Sequence, residues 1–171
     1  MRLLIGISGS SYAPSSMAIC DALEEERHNL RVVCTPEAQA FLPRRFIRRA
    51  AVDQRWRKPI HIDAVAWAES FLVLPTTANL LAVAAQGLAP NLLATMLVAW
   101  QRKVLFFPAM NRSMWTAPAT QANVITLQQR GHFVHTPSRR WDSPHGLAFE
   151  PIGYSTDDVL AAVRKMGEGC S

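Results

Sequence analysis

Short apolar runs that read as strands alternate with longer segments of helical character along nearly the whole chain, and this alternation constrains the fold more than any other feature. Leu3 to Ser8 is followed by a helical Ser15 to Glu26, and Leu30 to Thr35 by Pro36 to Leu42. Phe71 to Leu74 precedes a helical pair from Ala78 to Trp100, broken at Gly87 and Pro90. Val104 to Phe107 leads to a helix around Ala119 to Arg130, Phe133 to His135 is a further short strand, and Asp157 to Met166 is a closing helix. A right-twisted strand that feeds a helix packs back on its sheet only by a right-handed crossover. The expectation is therefore an α/β fold, a doubly wound parallel sheet forming a Rossmann/flavodoxin-like sandwich, as a single domain over residues 1–171. Thr136 to Ser155 lacks periodicity, holds three of the eleven prolines and reads as an ordered flap or a mobile loop.

A content of 49% hydrophobic and 18% charged residues is that of a globular protein. No apolar run reaches the roughly 18 residues that span a bilayer, and Arg2 leads straight into strand-like Leu3-Leu4-Ile5, so no membrane association and a cytoplasmic location are expected. Cys20, Cys34 and Cys170 are too few and too far apart for a disulfide framework or a metal cluster. The net charge of +5 comes without aromatic-basic interleaving, so nucleic acid is not an expected partner. Much of that charge sits in Arg44-Arg45-Phe46-Ile47-Arg48-Arg49, followed by Arg55, Arg57 and Lys58. The cluster suits a solvated loop, or a dock for an anionic substrate or peptide precursor.

In doubly wound sheets ligands bind at the carboxyl ends of the strands, which here close in four small or polar clusters. Ser8-Gly9-Ser10-Ser11 offers hydroxyls and open backbone at a helix start, fit for a phosphate, but has neither the dinucleotide nor the P-loop glycine pattern. It points to a mononucleotide, or to an ordinary capped turn. Thr35-Pro36 ends the second strand, and Pro75-Thr76-Thr77-Ala78-Asn79 crowds two hydroxyls and an amide onto a strand end, for a ligand or for a helix cap. Pro108-Ala109-Met110-Asn111-Arg112-Ser113-Met114-Trp115 gathers an amide, a guanidinium, two thioethers and an indole after a buried strand. His61, just ahead of a helical Ala64 to Ala68, is either a structural or a catalytic histidine.

Taken together, these segments resemble the homo-oligomeric flavin-containing cysteine decarboxylases, which include phosphopantothenoylcysteine decarboxylases and the peptidyl-cysteine decarboxylases of lanthipeptide biosynthesis. The markers are Gly6-Ile7-Ser8-Gly9-Ser10, His61 ahead of Trp67-Ala68-Glu69, Pro75-Thr76-Thr77-Ala78-Asn79 in place of Pro-Ala-Ser-Ala-Asn, and the complete Pro-x-Met-Asn-x-x-Met-Trp motif at 108–115. The resemblance implies FMN as cofactor, held by Gly9, Ser10, Thr35, Phe41, Thr77, Ala78 and Asn79. It implies His61 and Asn111 as catalytic residues, and Asn111, Met114 and Trp115 as contacts to the substrate. It also implies a homo-oligomer, a trimer or a dodecamer of trimers, with FMN near subunit contacts, and no metal.

The coenzyme A branch resembles a two-stage machine in which a cysteine on a late flap helps return electrons to the product. This chain has no cysteine between Cys34 and Cys170, and Ser138 to Gly146 lacks that branch's Ala-Cys-Gly. The expected reaction is therefore the one that stops at an enethiol: oxidative decarboxylation of the C-terminal cysteine of a precursor peptide, as in S-aminovinyl-cysteine biosynthesis. Hydride loss from the cysteine Cβ to FMN gives a thioaldehyde, which activates the adjacent carboxylate to leave as CO2, with His61 taking the thiol proton and Asn111 holding the carboxylate. Phosphopantothenoylcysteine decarboxylation and a non-catalytic flavin-binding regulator are the alternatives.

Overall fold

Strands buried on both faces need continuous rather than alternating apolar runs, and the central runs of this chain have that character. In the computed structural model, which describes residues 1–52, 60–140 and 151–168, β1 (Arg2–Ile7) is buried from Leu3 onward. It is followed by α1 (Ser15–Glu25), β2 (Asn29–Cys34), a 3₁₀ turn at Pro36–Ala40, α2 (Arg44–Ile47), β3 (Ala50–Val52) and α3 (Ile60–Trp67). β4 (Ser70–Thr76), buried throughout, leads to α4 (Ala78–Gln86), α5 (Leu92–Ala99) and the fully buried β5 (Val104–Pro108). Then come β6 (Met110–Asn111), α6 (Arg112–Thr116), α7 (Pro118–Gln129), β7 (Phe133–Val134), β8 (Arg139–Arg140), β9 (Pro151–Gly153) and α8 (Thr156–Glu168).

Six strands form one parallel sheet in the order β3-β2-β1-β4-β5-β7, with Ile5 in register with Val32 on one side and Leu72 on the other. The chain moves outward from β1 to β3, then returns to β4, so the order reverses between β1 and β4. The loops leaving those two strands diverge, and a crevice opens at their carboxyl ends. Alternate side chains feed two cores. Leu3, Ile5, Leu72, Leu74 and Phe107 pack with α1 and α8, while Leu4, Phe71, Val73 and Phe106 pack with α3, α4, α5 and α7.

Helix punctuation follows the sequence. Thr77 caps α4 by accepting from the Leu80 N–H at 3.2 Å, and Asn91 caps α5 by accepting from the Ala94 N–H at 2.9 Å. α4 ends at Gly87 with φ 67°, a left-handed turn that glycine takes without strain and that lets α5 start in a new direction. No helix among the described residues is long and apolar enough to cross a membrane.

Three features differ from the sequence reading. The Arg44 to Arg49 cluster is partly ordered as α2, anchored by buried Leu42 and Phe46, because two apolar side chains one turn apart outweigh the repulsion of exposed arginines. His61 lies inside the first turn of α3 rather than ahead of it. The flap region is tethered at its described ends: β9 pairs antiparallel with both β8 and β6, so that Asn111 stands opposite Pro151 and Met110 opposite Ile152. Residues 141–150 of that flap, Arg55, Arg57, Lys58 and Cys170 lie outside the described residues, as does most of the Ser138 to Gly146 stretch.

Burial lowers the pKa of His28, His132 and His135 from the usual 6.5, His28 with further help from the N-terminal ammonium and His132 from Arg130, while Asp158 opposes it at His135. Unfolded histidines then bind protons that the folded ones refuse, so their contribution to stability is complete above about pH 6.5 and is lost as the pH falls through the folded values. The thermal midpoint should decline from pH 7 to pH 5. His135→Phe, which can keep the stack on Phe107, should flatten the decline; a midpoint independent of pH in the wild type would refute the assignment.

Candidate functional site

The divergence of the β1 and β4 loops is fixed by one hydroxyl. Ser8, 2% exposed, donates to the Pro75 carbonyl at 2.8 Å and accepts from the Thr77 N–H at 3.1 Å, so it stitches the two strand ends across the switch point. Beside this stitch lies a cavity of about 620 Å³, walled by the loops after β1, β2 and β4, the start of α5 and one residue of α6.

Five of the residues singled out by sequence line it: Gly9, Thr35, Thr77, Asn79 and Met114. Gly9 is there because nothing larger fits. A Cβ at this position would sit 2.5 Å from Cβ of Glu37 and 2.9 Å from its backbone carbon. Gly9→Ala is expected to push the 3₁₀ turn away and cost about 1–3 kcal/mol, measured by denaturant unfolding. An unchanged midpoint would mean the turn yields freely.

Thr35 is 4% exposed, and its Oγ1 is buried with no hydrogen-bond partner among the described residues. A buried hydroxyl left unmatched costs free energy, so a hydroxyl on a cavity wall in this condition is one that a bound polar ligand completes. Thr77 spends its own hydroxyl on the cap of α4, leaving its neighbour Asn79 as the exposed amide of that wall.

Ser10, Phe41 and Ala78 do not line the cavity. Ser10 accepts from the Tyr12 N–H at 3.1 Å within its own turn, Ala78 is half-buried in the first turn of α4, and the Phe41 side chain is 42% exposed beyond the 3₁₀ turn. Conversely, Glu37, Leu80, Val83, Pro90 and Asn91 line it without having been singled out as site residues. Pro90-Asn91 before an apolar run carries a capping signature; what no sequence signal reveals is that the start of α5 folds back beside that of α4.

The loop after β5 is braced on three sides. Asn111 caps α6, its Oδ1 accepting from the Met114 N–H at 2.7 Å and from the Ser113 hydroxyl at 3.1 Å. β6 is paired with β9, and Gln121 of α7 donates to the Trp115 carbonyl at 2.6 Å. Asn111 itself does not line the cavity; with Oδ1 committed to the cap, its Nδ2 is the end of the amide left to donate. Met114, 44% exposed, reaches the cavity, whereas Trp115 is half-buried against the core beneath α4 and α7.

His61 is not brought to this cavity, and no residue of α3 lines it. α3 is held from below by buried Ala64, and α5 packs against both α3 and α4. His61 is flanked on the outer surface by Ile60 and Ile62, 45% and 57% exposed.

A second cavity of about 550 Å³ lies between α8 and the β7 edge, lined by Leu105, Phe133, Ala162 and Met166 with Lys103 and Lys165. It is away from the carboxyl-end loops and gathers none of the residues singled out above.

Comparison with known proteins gives the family. The flavoprotein family model matches residues 1–163. A mersacidin decarboxylase from a Bacillus species is 30% identical over 98% of this chain and 82% of its own length. The coenzyme A biosynthesis bifunctional protein CoaBC of Mycobacterium tuberculosis is 34% identical over 80% of this chain, which spans only 34% of that protein. Among solved structures, the FMN-dependent cysteine decarboxylase SpaF is 29% identical with a TM-score of 0.79, each chain covered to 96%. A PPC decarboxylase variant complexed with pantothenoylaminoethenethiol is 26% identical with a TM-score of 0.83, each covered to 98%.

Proposed function

Since this chain belongs to the flavoprotein family, among the flavin-dependent cysteine decarboxylases, we propose that it oxidatively decarboxylates the C-terminal cysteine of a precursor peptide, leaving an aminoenethiol. FMN is the cofactor. The observation that carries its place in this chain is the cavity at the sheet switch point, with the unmatched Thr35 hydroxyl, the close-packed Gly9 and the exposed Asn79 on its wall. When bound there, FMN supplies the two-electron acceptor that the oxidation needs.

The chain's own residues do the rest. The Nδ2 of Asn111, held outward by the cap on α6, donates to the carboxylate of the terminal cysteine and fixes its Cα–COO bond. Met114 covers the thiol side of the cavity with a polarisable wall. His61 takes the thiol proton. Once the substrate Cβ and S are at the thioaldehyde level, CO2 leaves and its electron pair settles on the thioenolate, which closes the atom and charge balance.

Because α3 keeps His61 off its own chain's cavity and surrounds it with exposed isoleucines, we assign that histidine to the cavity of a second copy, in a homo-oligomer built on this apolar helix face. Ile60, Ile62, Val98 and Ile125, each 45% exposed or more, are the surface such an assembly buries.

Purified yellow protein incubated with a short peptide ending in cysteine should convert it with combined loss of CO2 and two hydrogens, followed by mass spectrometry. The similarity to CoaBC and to PPC decarboxylase favours one other reading, turnover of phosphopantothenoylcysteine. The absence of any cysteine between Cys34 and Cys170 weighs against it. An unaltered peptide together with turnover of phosphopantothenoylcysteine would overturn the choice.

A further inference from the structure

Resting on the peptide reading, we infer that α2 and the outer edge of β3 form a dock for an acidic, extended stretch of the substrate peptide a few residues ahead of its terminal cysteine. The chain's densest positive charge stands here, and the structure holds it still. Buried Leu42 and Phe46 pin α2 to the core, so the exposed Arg44, Arg45 and Arg48 are displayed from a fixed base. Their neighbour Arg49 is neutralised by Glu24 at 2.7 Å, whereas none of these three has an acidic partner among the described residues.

Position gives this charge a use. α2 follows directly on the 3₁₀ turn whose first residues, Pro36 and Glu37, line the cavity, and Phe41 stands exposed between the two. β3 is the last strand of the sheet on this side, so its outer backbone edge has no ladder partner among the described residues. An extended segment can add there as a further strand, with its acidic side chains on the arginines.

Reach fixes the register. Five residues of 3₁₀ turn rise roughly 10 Å at about 2.0 Å each, the three residues from Phe41 to Pro43 add at most roughly 10 Å more, and a strand advances roughly 3.3 Å per residue. With the cysteine in the cavity, the arginines meet side chains roughly three to six positions upstream. Partners of opposite charge placed there raise the capture rate, by roughly tenfold or more at low salt.

The test uses FMN-loaded enzyme and two octapeptides ending in cysteine, one with glutamates four and five positions before it and one with glutamines there. The acidic peptide should show a roughly tenfold higher kcat/KM, expressed in KM, which fades in about 1 M NaCl where charges are screened within about 3 Å. Arg44→Gln/Arg45→Gln/Arg48→Gln should erase the preference, and the matching triple lysine variant should keep it. A tripeptide ending in cysteine, too short to reach α2, should be turned over alike by all three enzymes. The dock is overturned if wild type shows no preference, if the glutamine variant retains it, or if a single-stranded oligonucleotide of equal charge competes as well as the acidic peptide. Failure of wild type to convert even the tripeptide would sink the peptide reading itself, and the dock with it.

Discussion

His61→Asn should lower turnover of a cysteine-ending peptide by roughly 10²–10⁴-fold, the usual worth of a positioned general base, while the yellow colour and the thermal midpoint hold. A cysteine thiol has a pKa near 8.5, so at neutral pH only a few per cent of substrate is thiolate and a base must take the proton from the rest. Asparagine approximates the shape and polarity of the imidazole but cannot accept that proton. The substitution should also leave α3 in place, because buried Ala64 anchors that helix. The diagnostic is the pH profile of kcat/KM. The variant should recover toward wild type as the pH approaches the thiol's own pKa, since substrate then arrives already ionised. A variant as active as wild type at pH 7 would strip His61 of its role, and one that lost its colour would mark it as a residue of the cofactor site instead.

The parts legible in the sequence were those written in local pattern. Continuous apolar runs announced buried parallel strands, and Gly87 and Pro90 marked where one helix had to become two. Side-chain commitments were harder to foresee. Ser8 stood among hydroxyls offered to a ligand, yet the structure spends it on joining β1 to β4, while Thr77, which read as a ligand hydroxyl or a helix cap, caps α4. Asn111 was read as a substrate-binding amide, but only the geometry of α6 shows which end of that amide is left to donate. The small sheet of β6, β9 and β8 escaped because strands of two or three residues carry no periodicity. That no residue of α3 lines the cavity was hidden for a different reason: where a helix lies is set by how the crossovers pack on the sheet, here α3 against α5 and β1, and not by any run of residues.

Asn111→Asp separates the two jobs assigned to one side chain. Aspartate caps a helix as well as asparagine does, so its carboxylate can still accept from the Met114 N–H and the Ser113 hydroxyl, and α6 should keep its place over the cavity. What disappears is the Nδ2 donor, and a negative charge now faces the substrate carboxylate. Unmaking a hydrogen-bonded contact to a desolvated charge costs about 2–5 kcal/mol, so kcat/KM should fall by roughly 30- to 5,000-fold with folding and cofactor content preserved. Retained activity would show that the carboxylate is held elsewhere. The same variant then decides where His61 works. Asn111→Asp chains carry an intact histidine and His61→Asn chains an intact asparagine, and each alone should be nearly dead. If the histidine of one copy serves the cavity of another, co-expressed chains that assemble at random should regain about a quarter of wild-type activity, because one pairing in four unites both residues. If both residues act within one chain, every mixture stays as inactive as its parents, and the assignment of His61 to a second copy fails.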